Sequence, residues 1–77
     1  MGDDLAALSQ LGAANHAARV FLKDPAGCAE ADALLEQLHA AAALRLPWWR
    51  GLAAWAGKKA LAANEVKLQE WRLQHRC

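Results

Sequence analysis

The sequence predicts an all-α protein: three helices, the first two an antiparallel hairpin and a longer third packed across it. Three observations predict this. Ala and Leu make up 33 of the 77 residues, and both are strong helix formers. Isoleucine, threonine and tyrosine are absent and there are only two valines, which removes most of what strands are built from. The two prolines, Pro25 and Pro47, fall between apolar-periodic segments and divide the chain in three.

The first helix is predicted from Asp4 to Leu22. Asp3 or Asp4 can cap it, and acids suit the positive end of its dipole. Leu8, Leu11, Asn15, Ala18 and Leu22 follow a 3-4 spacing, with Ala7, Ala14 and Phe21 beside them. Asn15 is the one polar residue in this seam. It has two readings: a register-setting contact with another helix, as a seam Asn makes in coiled coils, or an edge residue bonded to water.

Asp24-Pro25 ends the first helix and can start the second, with Asp24 as cap and Pro25 in the first turn. The second helix is expected to reach about Leu44. Its stripe is Ala31, Leu34, Leu35, Leu38, Ala41 and Ala42, and Glu30, Glu36 and Gln37 lie away from it.

Pro47 pushes Leu46 out of the α region and breaks the chain again. A third helix is predicted from Pro47 to Gln74. On a 100° wheel it carries two apolar ridges. Trp48, Leu52, Trp55, Ala62, Val66 and Leu73 form one, and Ala54, Leu61, Leu68 and Trp71 form the other. Lys58, Glu65 and Arg72 separate them along one flank. One ridge is needed for the core, and the second calls for a partner or a second copy. Gly57 is the place where the helix would kink or break, giving a four-helix version.

Length limits the chain to a single small domain over residues 1–77. A chain of this size buries only about 60–65% of the surface its unfolded form exposes. Staples or partners commonly supply the rest. Cys28 and Cys77 form no CxxC pair and read as free thiols in a reducing compartment. The acidic start, Met1-Gly2-Asp3-Asp4, does not resemble a secretory leader. The uncharged stretch 5–18 is shorter than the ~20 apolar residues a membrane helix needs. A cytoplasmic location is expected.

The net charge of +1 hides a dipole. Residues 1–44 hold six acids and two bases, and residues 45–77 hold seven bases and two acids. Such asymmetry marks either a basic surface for an acidic partner, or acidic helices that complement a basic one within the fold.

Catalysis finds little support. His16, His39 and His75 lie on different elements, and none has a metal-ligand spacing to a second ligand. Ser9 has no neighbouring base, and there is no Gly-rich phosphate loop. No catalytic residue, cofactor or metal is assigned, and the chain is not read as an enzyme.

The stretch Leu52-Ala53-Ala54-Trp55-Ala56-Gly57 resembles the LAxxAG pattern that ends the first helix of many helix-turn-helix domains. The resemblance covers these six residues and Val66, and it departs from the pattern at Lys58, where those domains place an apolar residue. It implies a turn at Gly57 and a recognition helix offering Lys59, Asn64 and Lys67 to DNA. Residues 47–63, with their tryptophans and three bases, also allow a membrane-surface reading.

Binding to a protein, in a hetero-complex or a homo-oligomer, is the favoured function. An adaptor, a chaperone-like protein or an inhibitor would act this way. Four tryptophans in 77 residues favour it, since Trp and Arg are enriched at binding hot spots. Trp48 and Trp55 share a face and are expected in the core. The expected docking anchors are Trp49, Leu61, Leu68 and Trp71, rimmed by Arg50, Lys58 and Arg72.

Overall fold

The computed structural model describes residues 2–44 and 51–77, which form α1 (Gly2–Lys23), α2 (Cys28–Ala42) and α3 (Gly51–Gln74). No strand occurs among them. A 24-residue helix such as α3 is about 36 Å long, close to the 41 Å long axis of the molecule. The helices therefore run along one direction.

The side-chain pairings set that direction for each. Asn15 meets Gly57 and Asn64, and Phe21 meets Trp71, so α1 and α3 run parallel. Asp32 meets Arg72, His39 meets Glu65, and the end of α2 meets Lys58, so α2 runs opposite to α3. The result is an up-down-up bundle of three helices packed against one another.

The core is Leu11, Ala14, Ala18 and Phe21 from α1, Ala31, Leu34, Leu35, Leu38 and Ala41 from α2, and Leu61 and Leu68 from α3. The α2 stripe is as expected except that Ala42 is exposed. In α1 the seam lies slightly to one side of its expected centre. Ala7, Leu11, Ala14, Ala18 and Phe21 are buried, while Leu8, Asn15 and Leu22 are half-buried.

Two expectations are corrected and one alternative is closed. First, α2 begins at Cys28 behind an N-cap Gly27, not at Asp24. The Asp24 N–H bonds back to Val20 O and Phe21 O, both at 3.1 Å. That residue closes α1, four residues before α2 begins.

Second, α3 passes through Gly57 without a break. The glycine serves packing instead of turning. A Cβ there would stand 2.6 Å from Leu11 Cδ2, so its absence lets α1 and α3 come together. The turn implied by the helix-turn-helix resemblance is not made.

Third, Cys28 and Cys77 form a disulfide, with Cα atoms 5.5 Å apart. The chain end does not fray away. Cys77 N–H bonds to Arg72 O and Arg76 N–H to Leu73 O, with Arg76 in the left-handed region at φ 53°. This is the Schellman closure of a helix. It reverses the chain so that Cys77 faces the start of α2. The expected start of the third helix at Pro47 lies outside the described residues, as do Trp48, Trp49 and Arg50.

Candidate functional site

The inner face of α3 is a 4-3-4-3 seam of Gly57, Leu61, Asn64, Leu68 and Trp71. Leu61 is 3% exposed and Leu68 0%, so neither is an anchor for a partner. Both fill the core against α1 and α2. Asn64, 5% exposed, donates from Nδ2 to Asn15 Oδ1 at 3.0 Å, and Asn15 Nδ2 donates to Gly57 O at 3.1 Å. Asn15 thus makes the interhelical contact that one of its two readings described. A buried amide costs free energy unless bonded, so this chain of amides favours one register of α1 on α3.

Trp71 is half-buried at the edge of the core. Its ring meets Phe21 edge-on at 5.0 Å and stacks on His75 at 4.1 Å. It completes the fold where it was expected to serve a partner.

The flank of α3 facing α2 carries Lys58, Glu65 and Arg72, seven residues apart. Lys58 Nζ donates to Ala42 O at 2.7 Å and Leu44 O at 2.9 Å, which caps the negative end of α2. His39 Nε2 donates to Glu65 Oε1 at 2.6 Å. Arg72 Nε lies 2.9 Å from Asp32 Oδ1, off the direction of a good hydrogen bond. Lys58 and Arg72 therefore complement α2. Part of the charge asymmetry between the two halves is satisfied inside the molecule.

The outer face of α3, opposite the seam, is where apolar surface remains. Trp55 is 63% exposed, Val66 55% and Leu73 79%. Trp55 was expected in the core. Among the described residues both ridges of the wheel are present, with their roles exchanged. Ala62 lies exposed between Trp55 and Val66, and Lys59 Nζ sits 4.9 Å over the Trp55 ring. Beside Leu73 an open groove of about 320 Å³ is lined by Gln69, Arg72, Leu73, Arg76 and Cys77.

The remaining surface offers less. Leu5 and Val20 are exposed on α1, 15 positions apart and so about 22 Å from each other. Among the described residues no three His, Cys, Asp or Glu side chains gather as a metal site would require. No described helix is long and apolar enough to cross a membrane.

The chain matches no family model, no curated protein and no solved structure. Any functional reading therefore rests on the geometry of α3.

Proposed function

We propose that this chain is a protein-docking module whose contact surface is the outer face of α3. One observation carries the reading: Trp55, Val66 and Leu73 lie in one line on the face turned away from the core, all more than half exposed. Scattered exposed hydrophobics are ordinary, but apolar residues aligned on one helix face suit a docking partner. Its mechanism is helix-face docking, with Trp55 and Leu73 as the terminal anchors and Lys59, Lys67 and Glu70 as the polar surround. An adaptor, a chaperone-like protein or an inhibitor works by such contact.

The internal pairing of Lys58 and Arg72 counts against nucleic acid as the partner, since it removes two bases from the free basic surface. The Cys28–Cys77 bond favours a compartment where disulfides persist over the cytoplasm.

The test is affinity capture with the wild-type chain and a Leu73→Asp variant, at two salt concentrations, reading both protein and nucleic acid. Stoichiometric retention of a protein by the wild type alone supports the reading. Retention of nucleic acid only at low salt, equal for both chains, would sink it.

A further inference from the structure

The outer face of α3 has a pattern that matches itself. Its exposed positions are Trp55, Lys59, Ala62, Val66, Gln69 and Leu73, spaced 4-3-4-3-4. This is the spacing of a coiled-coil seam. Laid antiparallel on a copy of itself about the level of residue 64, each position meets its mirror. Trp55 falls across Leu73, Lys59 across Gln69, and Ala62 across Val66. Two-fold interfaces need this property, because each residue pair occurs twice with the roles exchanged.

Charge selects the antiparallel direction. Lys59 and the exposed Glu70 lie on the same side of the seam, 11 positions and so about 20° apart around the helix. Antiparallel pairing brings Lys59 of one copy beside Glu70 of the other, twice. Parallel pairing would set the seam residue Lys59 against Lys59 of the other copy. The shape agrees. The groove lined by Gln69, Arg72, Leu73, Arg76 and Cys77 opens where the Trp55 indole of the second copy arrives, and it offers arginine to the ring face. On the other side, Ala56 and Ala63 are exposed and small enough for the helices to approach closely.

Resting on the docking reading above, we propose that the occupant of this face is a second copy of the chain, bound antiparallel along α3 about a two-fold axis near residue 64. The contact runs from Trp55 to Leu73, about 27 Å of helix. One helix face is at the small end of specific interfaces, so the dimer is concentration-dependent and in exchange with monomer.

Sedimentation equilibrium of the oxidised chain over a concentration series tests this. The mass is expected to rise from 8.3 kDa toward twice that value. Trp55→Asp and Leu73→Asp should each weaken association at least tenfold with unchanged helical content. Lys59→Glu should weaken it severalfold, as should Glu70→Lys, and the double exchange should recover most of the loss. A monomer mass at every concentration up to about 1 mM, where even a weak complex forms, would overturn the dimer. If that monomer still retained another protein in the capture experiment, and lost it with Leu73→Asp, the docking face would stand with a different occupant. A dimer held covalently on a non-reducing gel, or one insensitive to both Asp substitutions, would also overturn the proposal.

Discussion

The inner and outer faces of α3 carry similar residue types and have opposite fates. Inside, Leu61 and Leu68 are buried between a glycine and a tryptophan. Outside, Trp55, Val66 and Leu73 stand in solvent. Hydrophobicity does not separate them, since each face holds a tryptophan. Small and polar residues do. Gly57 makes room for Leu11, and Asn64 finds the amide of Asn15. The outer face has no such fittings, and its Lys59 and Gln69 suit only a wet or symmetric contact. Close packing selects a face by fit as well as by apolar area.

The largest expected effect comes from cutting the same side chain on each face. Leu68→Ala should cost about 2–5 kcal/mol, because a fully buried leucine leaves a cavity as well as losing transfer energy. Leu73→Ala should stay within about 0.5 kcal/mol in dilute monomer. Urea unfolding of both variants measures this, and equal losses would erase the distinction between the faces.

Next is the clamp at the end of the inner face. Cys28 and Cys77 are 49 positions apart, and closing a loop of that length restricts the unfolded chain by about 3–4 kcal/mol in the chain-entropy account. Cys77→Ser should lower the unfolding midpoint accordingly while α1 and α2 keep their helical signal. A variant as stable as the oxidised wild type would mean that the seam holds α3 in place unaided.

The smallest effect is the sharpest in sign. Gly12 is exposed in α1 with nothing within 4 Å of an added Cβ, so Gly12→Ala should gain about 0.5–1 kcal/mol from helix propensity alone. Gly57→Ala receives the same gain but drives a methyl into Leu11, itself 2% exposed. Overpacking a core costs about 1–3 kcal/mol, so a net loss of about 1 kcal/mol is expected. Thermal unfolding of the pair reads the difference, and a stabilising Gly57→Ala would show that Leu11 can move aside.

Much of this was legible beforehand. The α2 stripe, the end of α1 near Lys23 and the apolar residues on both faces of α3 follow from period and composition. The pairing of Lys58, Glu65 and Arg72 with α2 was half legible, as a polar flank and a charge asymmetry. The buried and exposed ridges of α3 are the reverse of those expected, with Leu61 and Leu68 in the core and Trp55 outside. Tryptophan carries the largest apolar area, and area alone favoured Trp55 for the core and left Leu61 and Leu68 for a partner. Gly57 offered an alternative break because glycine weakens an isolated helix, and that local cost is outweighed by the contact it permits.

The sequence by itself determined that the chain is helical and which side chains share a face. These are local matters of propensity and of a 3.6-residue period. Only the tertiary structure decided which face of α3 turns inward, that Asn15 bonds across to α3, and that Cys28 reaches Cys77. Each of these depends on atoms 42 or more positions apart along the chain. Such pairs are set by the shape of three packed helices, which no window along a single helix contains.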